Sequence, residues 1–157
     1  MINDLIFIPF NTPSLKNSKI KTSRGVFSSK TVKKYLNLLG IQSYSSSKKI
    51  VKGYVNKPNQ FELFRNQFEK MLENKDFPVL IGFHFVRNTK HSFDFGNATE
   101  ILFDLLTAHD IIPDDNVKYI FPSVMTIDGI LPDKDNFRKH KWYNIDKENP
   151  GVYVKIF

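Results

Sequence analysis

The stretch FPVLIGFHFVRNTKHSFDFGNATEILFDLLTAHDIIPDDNVKYIFPSV, Phe77 to Val124, decides the fold. Its first part sets Val79, Ile81, Phe83 and Phe85 against Leu80, Gly82 and His84, an apolar run whose length and composition read as a strand. A single histidine in such a run is most often a packed side chain, and His84 is given no chemical role. The period then changes. From Asn97 to Asp110, Ala98, Leu102, Leu105 and Leu106 recur at helical spacing, while Asn97, Glu100 and Asp104 fall at i, i+3 and i+7 on another face. Pro113 and the polar Asp114, Asp115 and Asn116 stop the helix, and a further strand is expected in VKYIFPSVMTI (117–127).

Outward from this unit the pattern stays irregular. LIFIPF (5–10) suits a short buried strand ended by Pro9 and Pro13, and NTPSLKNSKIKTSRG (11–25) reads as a polar, basic loop. SSKTVKKYLNLLG (28–40) reads as a helix with Val32, Tyr35, Leu36 and Leu39 inward, Ser28 or Ser29 at its start and Gly40 at its end. Residues 43–60, rich in Ser, Lys and Asn, read as a mobile connection with at most a short strand. Phe61, Phe64, Phe68, Met71 and Leu72 mark an amphipathic helix between Pro58 and Asn74. GVYVKIF (151–157) is expected to close the chain as a strand, after the charged, turn-rich segment 131–150. No regular strand–helix–strand repetition appears, so the expected class is α+β, a single domain over 1–157 with a mixed β-sheet flanked by helices.

Composition supports a packed domain. The 157 residues include fifteen Phe and six Tyr in a 41 % apolar chain, enough for a real core. No apolar run approaches the roughly 20 residues of a membrane span. MINDLIFIPF lacks the basic start and cleavage site of a secretory signal. The absence of cysteine excludes disulfides and thiolate metal sites, and fits a cytoplasmic setting.

Charge is distributed unevenly. Between Asp4 and Glu62 there is no carboxylate, while eleven Lys and Arg side chains lie there, leaving −4 for the remainder of a +7 chain. Lys16, Lys19, Lys21, Arg24, Lys30 and Lys33 fall in this third, a field that attracts polyanions and above all phosphate. Six of the sixteen carboxylates lie in 94–115, among them Asp94, Glu100, Asp104, Asp114 and Asp115. If the chain doubles back so that these meet, they form the oxygen-rich environment that Mg²⁺ or Mn²⁺ prefers, and a bound metal could activate water against a phosphodiester. The competing reading is local: Asn97 and Glu100 as a capping box, Asp94 at the positive end of the helix, and Pro113–Asn116 as a turn.

The spacing of these residues resembles that of the RusA-like crossover-junction endodeoxyribonucleases, small dimeric Holliday junction resolvases of phages and prophages. Their motif runs Asp, any residue, Asp, Asn, two residues, Lys, three residues, Asp, then a helix end and a paired Asp-Asp. Asp94, Asn97, Asp104 and the Asp114-Asp115 pair match it, and the opening IPFNTPSLKNSK (8–19) is similar to that family's first strand and basic loop, with Asn17 as a counterpart. The strong match covers about thirty residues. Gly96 stands where the family has its second Asp, and Glu100 where it has a catalytic Lys; Lys90, His91 and Lys118 are nearby cations that could replace the latter.

The resemblance implies a Mg²⁺-dependent endonuclease, Mn²⁺ being possible, that cleaves four-way DNA junctions as a homodimer in recombination and repair. Asp94, Glu100 and Asp115 would then be catalytic, with Asp114 a further metal candidate and Asn97 and Asp104 in support. Lys16, Asn17, Lys19, Lys21, Arg24, Lys30 and Lys33 would hold DNA. The two departures leave open the alternative of a catalytically degenerate protein that binds branched DNA without cutting it.

Overall fold

The computed structural model describes residues 4–14, 19–22, 25–28, 30–41 and 59–157. Its strands are β1 (Ile6–Pro9), β2 (Lys19–Thr22), β3 (Gly25–Ser28), β4 (Val79–Arg87), β5 (Ile120–Val124), β6 (Tyr143–Ile145) and β7 (Gly151–Ile156). The helices are α1 (Lys30–Leu38), α2 (Arg65–Leu72) and α3 (Phe95–Ala108), with a 3-10 turn at Gln60–Phe64 before α2. The chain is α+β with a mixed sheet, as its pattern predicts. It divides into two compact units, one of residues 1–12, 66–91 and 116–157, the other of residues 13–65 and 92–115.

The first unit holds a five-stranded sheet in the order β1-β7-β4-β5, with β6 also on β4. β1 and β4 pair antiparallel with β7, whereas β5 and β6 run parallel to β4. Register places apolar residues opposite one another, Ile6 with Val154, Ile8 with Val152, Phe83 with Val154 and Phe85 with Val152. All of these are buried, and each such side chain removed from water contributes roughly 1.5–3 kcal/mol before entropy is counted. Seven consecutive residues of β4, Ile81 to Arg87, are buried, so this strand is covered on both faces. That coverage also fixes His84, whose Nδ1 lies 2.9 Å from the Met125 carbonyl and Nε2 3.0 Å from Asn144 Oδ1.

Two glycines are required by close approach. A Cβ on Gly151, paired with Pro9, would stand 2.6 Å from the Ile8 carbonyl oxygen and 2.4 Å from the Phe7 ring. One on Gly82 would meet Met125 Sδ and Phe157 Cε2 at 2.8 Å.

In the second unit, α1 buries Val32, Tyr35 and Leu36 and turns Lys30, Lys33 and Lys34 to solvent. Its end is set by Gly40 at φ +71. The Gly40 amide donates to Asn37 O and the Ile41 amide to Leu36 O, both at 2.9 Å, the pairing that satisfies the last carbonyls of a helix.

Four expectations change. The basic loop expected over 11–25 contains β2 and pairs it with β3, because Ile20, Lys21, Val26 and Phe27 fall opposite one another once Thr22 and Gly25 close the turn. The helix expected over 58–74 begins as a 3-10 turn capped by Asn59 and becomes α-helical at Arg65. The segment 131–150 contains β6, held by pairing with the far half of β4. α3 starts at Phe95, earlier than Asn97, because Asp94 is its cap. The mobile connection expected over 43–60 lies almost wholly outside the described residues.

Candidate functional site

α3 places the motif residues. Asp94 has extended backbone, φ −91 and ψ 114, and its Oδ1 accepts the Asn97 amide at 3.1 Å, satisfying one of the first unpaired donors of the helix. Asn97 is therefore the third helical residue and donates through its backbone; it is not the cap of a box with Glu100. Gly96 suits this arrangement, since a Cβ there would lie 3.3 Å from Asp94 Oδ1. A second carboxylate at this position would crowd the first with like charge. Asn97 Nδ2 is buried without a hydrogen-bond partner.

Glu100 is exposed. Six residues beyond Asp94, it stands about 9 Å along the helix and about 240° around it, from a rise of ~1.5 Å and ~100° per residue. Asp104 is half-buried one turn further on. The fourteen residues of α3 extend roughly 21 Å, and Asp114 and Asp115 lie beyond the far end. Both are exposed, and Asp114 Oδ1 accepts the Asp115 amide at 2.8 Å. Among the described residues no three His, Asp or Glu side chains form a group that could hold a metal ion. Asp94, Glu100, Asp114 and Asp115 of one chain do not form a shared Mg²⁺ centre.

The expected DNA-binding residues divide in three. Lys30 and Lys33 project from α1 into solvent. Lys19 and Lys21 alternate with Ile20 along β2. Lys16, Asn17 and Arg24 lie outside the described residues. Lys90, His91 and Lys118 are exposed. Arg87, at the end of β4, is buried, donates through Nη1 to the Thr12 carbonyl, and is pulled below its ordinary pKa by burial.

A polar network in the second unit went unread in the sequence. Asn59 caps the 3-10 turn through Oδ1 and donates from Nδ2 to His109 Nε2, His109 is fully buried, and Arg65 donates to its carbonyl. Its members are spread from residue 59 to 109, so only tertiary folding of this unit brings them together. Also missed were the exposed rings of Phe137 and Tyr143, since composition cannot separate solvent-facing aromatics from core ones.

Among the described residues no helix is long and apolar enough to cross a membrane. No family model, no curated protein and no solved structure matches the chain.

Proposed function

We propose that this is a cytoplasmic protein that binds branched DNA, four-way junctions in particular, as a homodimer, and that it does so without cutting the strands. The charge layout carries this reading. A segment without any carboxylate holds eleven Lys and Arg residues, with Lys30 and Lys33 on the solvent face of α1, a surplus of cations suited to neutralising phosphates. The resemblance of 94–115 to junction resolvases supports a branched substrate, and the two-fold symmetry of a four-way junction suits a symmetric dimer. The capping role of Asp94 and the turn role of Asp114 account for those carboxylates without a metal.

The second reading is the Mg²⁺- or Mn²⁺-dependent endonuclease. Exposure of the adjacent Asp114 and Asp115 favours it, since Mg²⁺ is commonly held by one or two carboxylates completed by substrate phosphates. One experiment separates the two. Purified protein is titrated into a labelled four-way junction with EDTA, then incubated with Mg²⁺ or Mn²⁺ and resolved on a denaturing gel. Salt-sensitive junction binding with intact strands supports the proposal. Symmetric nicks under either metal overturn it in favour of the nuclease, and absence of junction binding overturns both.

A further inference from the structure

A second basic surface lies in the segment 131–145, and it is combined with exposed aromatic rings. The loop is braced from within. Asp133 Oδ1 accepts the Asp135 and Asn136 amides at 2.7 and 2.9 Å, Asn136 Oδ1 accepts the Asp133 amide at 2.7 Å, and Asn136 Nδ2 donates to the Leu131 carbonyl at 3.0 Å. Trp142 Nε1 closes the next turn by donating to the Phe137 carbonyl at 2.7 Å. β6 then anchors the segment to β4.

On this frame Phe137 is 45 % and Tyr143 48 % exposed. Full burial of a wholly exposed apolar side chain is worth about 1.5–3 kcal/mol, so covering the exposed half of each ring would add roughly half that, and a braced loop that presents both rings to water is suited to a ligand. The Arg138 guanidinium lies 5.0 Å from the Phe137 ring centroid, and His140 stands edge-on to Trp142 at 6.1 Å. Lys134, Arg138, Lys139 and Lys141 are exposed, four cations against the two carboxylates of Asp133 and Asp135. A recess of about 490 Å³ runs along His140 to Ile145. Lysine is depleted in protein–protein interface cores, so this mixture does not suit a copy of the chain. Aromatic faces amid cations suit unpaired bases with their phosphates.

We infer that residues 137–145 form a stacking surface for single-stranded DNA. Bases lie against Phe137 and Tyr143 and in the recess beside Trp142, while Arg138, Lys139 and Lys141 meet phosphates. The inference shares the DNA-binding reading given above but rests on different residues, so the two fail separately.

The test is fluorescence anisotropy of the full chain with a labelled oligo-dT, with unlabelled duplex, oligo-U RNA and four-way junction as competitors. Phe137→Leu and Tyr143→Leu each remove a ring at an exposed position, and the thermal midpoint checks that the fold is kept. Each should weaken oligo-dT binding about five- to 160-fold, the range found per stacked base, and duplex should compete poorly. Lys139→Gln with Lys141→Gln should flatten the salt dependence by roughly 0.7 for each phosphate no longer neutralised. Oligo-dT affinity that is undetectable, or unchanged in both aromatic variants, overturns the inference, as does tighter binding of oligo-U. Oligo-dT binding that depends on the rings while junction binding ignores Lys30→Gln and Lys33→Gln sustains this surface and sinks the basic N-terminal one.

Discussion

Asn59 Nδ2 and His109 Nε2 meet at 2.9 Å across fifty residues of sequence, while the Oδ1 of the same asparagine accepts the Glu62 amide at 3.1 Å. One side chain thus caps a helical turn and fixes the tautomer of a buried imidazole, whose Nδ1 donates to the Leu105 carbonyl at 2.7 Å. Arg65 reinforces the junction, donating to the His109 carbonyl and, through Nε at 2.6 Å, to Glu62. Asn59→Ala removes the cap and strands a buried acceptor, and should cost about 1–3 kcal/mol in urea unfolding. Asn59→Ser keeps a capping oxygen and should lose less. Equal losses in the two variants would show that the cap contributes nothing and that the loss comes from the bond to His109.

Asp94 is predicted to behave as a helix cap. Asp94→Asn retains an acceptor for the Asn97 amide and should change stability by only a few tenths of a kcal/mol, whereas Asp94→Ala should cost about 1 kcal/mol. A ligand of Mg²⁺ would behave otherwise, because a metal bound only to the folded state raises the unfolding midpoint. Calorimetric unfolding with and without Mg²⁺ distinguishes the two roles. A Mg²⁺-induced rise in the unsubstituted protein that Asp94→Asn abolishes would make Asp94 a ligand.

How far the sequence could be read depended on whether local or distant contacts decided each element. The run around Phe83 and the Leu36–Gly40 helix end were legible because periodicity and a glycine in the left-handed region are local signals. The start of α3 was misread because Asp94 followed three residues later by Asn97, and Asn97 followed three later by Glu100, both look like cap patterns; only the folded position of Phe95 selects the first. β6 was invisible because three residues, Tyr143 to Ile145, become a strand through pairing with Phe85 to Arg87. The carboxylate cluster depended on a return of the chain that contour arithmetic allowed and could not decide. Among the described residues no three His, Asp or Glu side chains gather into a group that could hold a metal ion, a matter of tertiary placement that spacing along the chain does not encode.

The two tightly packed glycines should respond unequally to alanine. At Gly151 the new Cβ would press on the Ile8 carbonyl oxygen, which the β1–β7 ladder holds in place. At Gly82 it would meet the flexible end of Met125 and the ring of Phe157, which can move aside. Overpacking typically costs about 1–3 kcal/mol, so Gly151→Ala should fall at or above the top of that range and Gly82→Ala near its bottom. Chemical unfolding of both variants checks the order, and a reversed order would mean that the β1–β7 pairing yields more easily than the Met125 side chain.

If Lys30 and Lys33 neutralise phosphates, their effect will be found in the salt dependence of junction binding. Each phosphate neutralised on duplex DNA contributes roughly 0.9 to the slope of log K against log salt. The combined Lys30→Gln and Lys33→Gln variant should therefore lose about 1.8 from that slope and bind more weakly at low salt, converging on the unsubstituted protein as salt rises. Glutamine has nearly the helix propensity of lysine and both side chains are exposed, and the unfolding midpoint measured alongside separates a loss of charge from a loss of fold. Lys70→Gln, also exposed but on α2, serves as the control and should leave the slope unchanged. An unaltered slope in the double variant would remove α1 from the DNA interface. Equal losses in the double variant and the control, per charge removed, would mean that net charge alone attracts the DNA and that no face of the protein is preferred.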